Sequence, residues 1–238
     1  MNRIVLVALK NFWKVPSAWF KLRHYAKHTD EYSFEEKYKH IRYILRHVIP
    51  SGNIDLQVSG VENIPKEDGF LLCGNHQGLF DIIAIVHTFE RPLAAVLKKE
   101  LNEIPFLQEI VTCTKSYPMD REDVRQSMKV IMGVSKELEE GRNFLIFPEG
   151  TRSKNGNAML DFHGGTFKCV TKSKCPIVPF ALIDSYKVLD QKGSGLVTVQ
   201  LHYLEPIYYD EYKDMSTNEI AAMVKARIEE VIKIHVAE

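Results

Sequence analysis

The stretch Gly69–Phe89, "GFLLCGNHQGLFDIIAIVHTF", decides how this chain reads. "GFLLCG" is a short unbroken apolar run, as in a strand buried on both faces, and "DIIAIVHTF" reads as a helix. Between them "GNHQGLFD" (Gly74–Asp81) places an imidazole, His76, five residues before a carboxylate, Asp81. On a regular helix that spacing turns through about 500°, so the two side chains do not share a face. They meet only if Gln77–Phe80 form a turn, which Gly78 eases. Asp81 also suits a helix start, where acids are favoured. The residues alone therefore allow a proton-transfer dyad, or a helix-capping acid beside a loop histidine.

Outward from this stretch the alternation continues. "IDLQVSG" (54–60) places Ile54, Leu56 and Val58 on one face, as a half-buried strand does. "LAAVL" (93–97), "NFLIFP" (143–148), "PIVPFALI" (176–183) and "LVTVQLHYLEPI" (196–207) read as further strands. "NEIPFLQEIV" (102–111), Asp123–Glu140 (ended by Gly141) and a last segment from about Thr217 to Val236 read as helices. Strands alternating with helices predict an α/β fold, with a mixed, mostly buried sheet flanked by helices. No internal repeat or low-complexity tract is visible.

A chain of 238 residues, 45% hydrophobic, has room for one such domain, expected over residues 51–238. Residues 1–50 are expected to form a separate helical element. A net charge of zero argues against a general nucleic-acid binder. The zero hides an asymmetry. Arg3, Lys10, Lys14, Lys21, Arg23 and Lys27 fall within residues 1–28, which contain no Asp or Glu. "IVLVAL" (4–9) is short for a secretory signal and lacks a convincing cleavage site. No apolar run reaches the length of a spanning helix.

"IVLVALKNFWKVPSAWFKL" (4–22) combines aliphatics with Phe12, Trp13, Trp19 and Phe20 and with Lys10, Lys14 and Lys21, and Pro16 marks a break. Tryptophan rings and snorkelling lysines suit an interfacial helix pair. The other reading is a pair of helices packed on the protein's own core. Ser33–His47 is a second helical stretch, opened by a Ser33/Glu36 capping box and ended by Pro50 and Gly52. Cys73, Cys113, Cys169 and Cys175 have no metal-type spacing and read as buried free thiols.

Two further clusters carry chemistry. "FPEGTRS" (147–153) follows a buried strand and sets Glu149, Gly150, Thr151 and Arg152 side by side. A guanidinium fork, a hydroxyl and a glycine are what a phosphate site needs, although such a cluster is also an ordinary salt-bridged loop. Glu149 would repel a phosphate, so it is expected to orient Arg152 or to accept a substrate hydroxyl. Lys98 and Lys99 end one strand, and Arg121 follows "KSYPMD". Singly these are solvated charges; together with Arg152 they form a cationic site for an acidic ligand. No H-E-x-x-H pattern or cysteine cage points to a metal.

"NHQGLFD", "KKEL" with the later "MDR", "FPEGTRS" and "PIVPF" resemble, in order and spacing, the four blocks of the glycerolipid acyltransferase family. The resemblance runs from about Gly60 to Ile207. It implies transfer of a fatty acyl group from an acyl thioester, of acyl carrier protein or coenzyme A, to the free hydroxyl of a lysophospholipid. With lysophosphatidic acid as acceptor the product is phosphatidic acid. The acceptor could also be glycerol 3-phosphate or another lysophospholipid, and a hydrolase would put water in its place. The resemblance implies that His76 and Asp81 are catalytic and that Arg121, Arg152 and Lys98 hold the acceptor phosphate beside Glu149, Gly150 and Thr151. It implies no bound cofactor or metal. A peripheral seat on the cytoplasmic face of a membrane follows as an expectation, and the basic aromatic N-terminus resembles the family's seating element. Gly78 departs from the serine common at that position. With no G-x-S-x-G elbow in the chain, direct transfer without an acyl-enzyme is expected. "HGGTFK" (163–168) resembles the segment after the third block and is either an oxyanion contributor or a turn.

Overall fold

The computed structural model describes residues 3–236. Seven strands form one sheet: β1 (Ile54–Ser59), β2 (Leu71–Gly74), β3 (Leu93–Lys98), β4 (Tyr117–Met119), β5 (Asn143–Ile146), β6 (Ile177–Ile183) and β7 (Val197–Tyr203). Their order is β1-β7-β6-β2-β5-β3-β4. β2 through β6 run parallel to one another; β7 is antiparallel to β6, and β1 runs parallel to β7. The mixed sheet flanked by helices agrees with the expectation.

The alternation of each central strand explains its unbroken apolar sequence. Leu71 and Cys73 of β2 face one core with Phe144 and Ile146 of β5, where the helices Val124–Glu139 and Thr217–Val236 pack. Phe70 and Leu72 face the other core with Leu145. Both faces are covered, so every position is apolar. The N-terminal helices Val15–Lys27 and Phe34–Leu45 share that second core through Leu22, Tyr25, Tyr38 and Ile41. The boundary at residue 50 is therefore not a break in packing, and residues 3–50 differ from the rest in surface chemistry instead.

Several local readings hold at the level of hydrogen bonds. Ser33 and Glu36 form the capping box, and Asp123 caps its helix by accepting from Arg125 N and Gln126 N. Gly141 has φ 85°, the left-handed conformation that lets the chain turn back into β5. Other readings need correction. "NEIPFLQEIV" is not one helix: a 3-10 turn, Lys99–Glu103, precedes a helix that starts only at Leu107. Pro105 removes an N–H and Phe106 has φ 76°, so helical bonding cannot run through. Pro50 does not end helical structure but lies within a short turn, Val48–Ser51. Pro16 sits in the first turn of Val15–Lys27, where its missing N–H has no partner to lose. β4, three residues containing Pro118, is too short to carry a period.

The parallel strands β2 to β6 all end at one edge of the sheet. The histidine turn leaves β2 there, Lys98 ends β3, Arg121 follows β4, and "FPEGTRS" follows β5. Ligand sites in open α/β sheets form at this edge.

Candidate active site

The chain between Gly74 and Phe80 folds into a turn built around Asp81. This carboxylate is fully buried. Its Oδ2 accepts from His76 Nδ1 at 2.7 Å, from Gln77 N at 2.6 Å and from Gly78 N at 3.0 Å. Oδ1 accepts from the hydroxyl of Ser185, itself fully buried. Asp81 is thus the partner of the histidine and the brace of the turn before its helix; the capping reading is not realised, because the helix Phe80–Thr88 has Leu79 at its N-cap and no side-chain cap bond. A carboxylate oxygen only accepts, so Nδ1 carries the ring proton and Nε2 is left with its lone pair. Among the described residues Nε2 has no protein hydrogen-bond partner, and the His76 side chain is 20% exposed.

The third block locks onto the first. The His76 ring stacks on Phe147, with centroids 4.1 Å apart and planes 18° apart. His76 N donates to Glu149 Oε1 at 2.7 Å, and Ser153 N donates to the His76 carbonyl at 2.9 Å. Glu149 Oε2 accepts from Leu160 N at 2.8 Å. Of the two roles expected for Glu149, orienting Arg152 or accepting a substrate hydroxyl, the contact with Arg152 is not made. Glu149 is 2% exposed and both its oxygens hold backbone amides, so it ties the histidine turn to the loop at 160. Burial pushes its pKa up, opposed by those two N–H bonds.

Arg152 pairs instead with Asp190, Nη1 to Oδ1 at 2.5 Å. Gly150 has φ 69°, a conformation that favours glycine, and a Cβ there would press on the His163 ring. Thr151 is exposed beside it. His163 belongs to a turn whose N–H bonds the Pro148 carbonyl, and a 3-10 segment, Gly164–Phe167, follows.

The basic residues line the same edge in a looser way. Lys98 lies opposite Met119 in the β3–β4 register, two residues before Arg121. Lys98 Nζ meets Glu100 at 3.2 Å, and Lys99 Nζ meets Asp120 at 2.5 Å. Arg121 is exposed and, among the described residues, makes no hydrogen bond or ion pair; Glu100 acts on it only at longer range.

Three residues at the site were not read from the sequence: Ser185 and Asp190, from the β6–β7 connection, and Phe147 as the ring under His76. Gln77 and Asn157 complete the frame. Gln77 Oε1 accepts from Ser185 N at 2.9 Å, and its amide donates to Asn157 Oδ1 at 2.8 Å. "DSY" after the fourth apolar run was the available signal, being polar residues directly after a buried strand.

Of the residues expected to seat the protein, Phe12, Trp13 and Phe20 are 69, 65 and 68% exposed, joined by Ile4, Val5 and Leu9. Lys10 and Lys21 are exposed, while Lys14 is half-buried with Nζ 4.9 Å from the Trp13 ring centroid. Trp19 is half-buried, with the Arg23 guanidinium carbon 5.5 Å from its ring centroid. No described helix is long and apolar enough to cross a membrane.

The chain thus carries an interlocked His–Asp turn and a basic rim on one edge of a mostly parallel sheet. Residues 55–183, over half the chain, match the family described as Acyltransferase, and the chain belongs to it. It is 31% identical over 159 residues to the 1-acyl-sn-glycerol-3-phosphate acyltransferase of Helicobacter pylori, a match covering 63% of this chain and 67% of that protein. The protein of the same name from Salmonella typhimurium is 32% identical over 161 residues, covering 66% of this chain and 64% of the relative. The crystal structure of the 1-acyl-sn-glycerophosphate (LPA) acyltransferase PlsC from Thermotoga maritima superposes with a TM-score of 0.79. That match covers 98% of this chain and 96% of the other at 20% identity, and so shows a shared fold.

Proposed function

We propose that this protein transfers a fatty acyl group from an acyl thioester to the free hydroxyl of 1-acyl-sn-glycerol 3-phosphate, giving phosphatidic acid. The relatives' names support the acceptor, and the observation that carries the chemistry is the His76 Nδ1–Asp81 bond, which leaves Nε2 a base. Nε2 takes the hydroxyl proton as the acceptor oxygen attacks the thioester carbonyl. The tetrahedral intermediate then collapses, the C–S bond breaks, and the imidazolium returns the proton to the departing thiolate. The substrate hydroxyl stands where a hydrolase triad has its serine, so no acyl-enzyme forms. Asp81 fixes the tautomer and stabilises the imidazolium. The donor thioester is that of acyl carrier protein or coenzyme A.

Arg121, Arg152 and Lys98 hold the phosphomonoester, with Gly150 and Thr151 lining its approach. Glu149 acts as a positioning residue through the His76 backbone. The N–H groups of His76, Gln77, Gly78 and Leu79 are all bonded to side-chain carboxylates, so the oxyanion donors lie outside this turn. The exposed face of residues 4–21 seats the protein peripherally on anionic lipid, on the cytoplasmic side, with Leu79 and Ile82 exposed beside the site. The seating element is residues 1–50 and the catalytic part 51–238, joined through a common core.

Acyl transfer from a palmitoyl thioester to lysophosphatidic acid tests the reading. The wild type should form phosphatidic acid, and His76→Ala should lose at least about a hundredfold. Equal activity of the two proteins contradicts the mechanism, and an inactive wild type contradicts the acceptor. Deleting residues 1–27 is a poor test of seating, because Leu22 and Tyr25 are buried. Replacing Phe12, Trp13 and Phe20 together with serine should release the protein from anionic vesicles in a sedimentation assay; undiminished sedimentation contradicts the seat.

A further inference from the structure

One carboxylate outside the four blocks touches two of them. Asp190 Oδ2 accepts from Leu79 N, the last amide of the histidine turn, at 3.0 Å. Its Oδ1 takes Arg152 Nη1. Asp190 thus joins the turn after β2 to the loop after β5, from the connection between β6 and β7. Gly78 is matched to it: a Cβ at residue 78 would collide with Asp190 Oδ2. The Arg152–Asp190 pair is 37 and 29% exposed, and Arg152 spends only Nη1 on it. A guanidinium has five N–H donors in a fixed plane, so one anchored nitrogen sets where the others point.

The segment bearing Asp190 is itself held, from the N-terminal helix Arg3–Asn11. Arg3 is 2% exposed and donates Nε to Gly52 O at 2.9 Å, Nη1 to Val188 O at 3.4 Å and Nη2 to Gly195 O at 2.6 Å. Two of those carbonyls bracket Asp190 in sequence. A buried guanidinium with carbonyl partners on both sides fixes the course of the chain between them.

We propose that Asp190 is a positioning residue for the acceptor: it anchors Arg152 so that the remaining N–H donors meet the phosphomonoester, and Arg3 holds the segment that carries it. This rests on the function proposed above. A rival geometry makes the same carboxylate an occupant of the phosphate's place, to be displaced when the acceptor binds, and the two predict opposite changes in acceptor KM.

Asp190→Asn separates them in the full-length protein. The amide keeps the volume but has one acceptor oxygen, so it can serve Leu79 N or Arg152 but not both. With palmitoyl thioester and lysophosphatidic acid, acceptor KM should rise about tenfold, as losing one charge-assisted bond implies. The thioester KM and kcat should stay within about threefold. Asp190→Ala should raise acceptor KM at least as far. An acceptor KM that is unchanged or lowered in Asp190→Asn overturns the proposal, a lowered value favouring the displaced-carboxylate geometry. A second measurement needs no activity, so it distinguishes this inference from the function it rests on. Gly78→Ser should lower Tm in the wild type but not in the Asp190→Ala background; equal losses in both backgrounds overturn the placement of Asp190 against the turn.

Discussion

The histidine turn and the basic rim leave the same sheet edge but are held in opposite ways. In the turn, four consecutive backbone N–H groups end on the carboxylates of Glu149, Asp81 and Asp190, and the ring is fixed by Asp81 on its edge and Phe147 on its face. In the rim, Lys98 and Lys99 meet Glu100 and Asp120 in pairs with half-exposed lysines, and Arg121 makes no such pair. Exposed pairs of this kind are screened by solvent and contribute little, so a phosphate can take their place at little cost. The difference follows from the two tasks. Proton transfer needs a fixed donor–acceptor geometry, whereas an anion can be held by several adaptable cations.

Variants should divide along this line. Asp81→Asn is expected to have the largest effect: the amide can present N–H to Nδ1 and favour the wrong tautomer, with kcat down by about a hundredfold or more. Normal turnover in that variant would show that the histidine's orientation comes from elsewhere. Glu149→Gln leaves one oxygen for two buried N–H groups, His76 N and Leu160 N, and should cost about 1–3 kcal/mol of stability. Its Tm should fall together with kcat, and an unshifted Tm would contradict the clip. Arg121→Ala should raise acceptor KM roughly tenfold, and Lys98→Ala less, since Glu100 already shares its charge.

The smallest expected effect lies outside both regions. Burial lowers the pKa of His40, His87 and His202. Below the ordinary histidine value, near 6.5, the unfolded chain then binds more protons than the folded one. Stability should fall as pH drops from there through the lowered values, read as a modest loss of Tm between neutral and mildly acid pH. A Tm that rises over that range contradicts the assignment.

The buried strands and the long helices were legible because their apolar periods and caps are local. "NEIPFLQEIV" misled because its apolar spacing suits a helix while Pro105 and the positive φ of Phe106 interrupt it, and the second of these is not written in the apolar spacing. At the site, His76 and Asp81 were legible as a pair, since a glycine-containing turn is a local condition. Glu149 was found but its neighbour was left open between Arg152 and a substrate hydroxyl: whether a carboxylate meets a guanidinium or two amides depends on loops brought together from β2 and β5. Asp190 was not legible, and Ser185 only as a polar residue directly after a buried strand, because both reach the turn over more than a hundred residues; the half-burial of Trp19 beside the exposed Trp13 is likewise a tertiary matter.

The division between a fixed turn and an adaptable rim is tested most directly by kcat and acceptor KM for Asp81→Asn beside Arg121→Ala, under the same thioester and lysophosphatidic acid. Asp81→Asn should lose kcat with acceptor KM nearly unchanged, and Arg121→Ala should do the reverse. Loss of the same parameter in both variants would contradict the division.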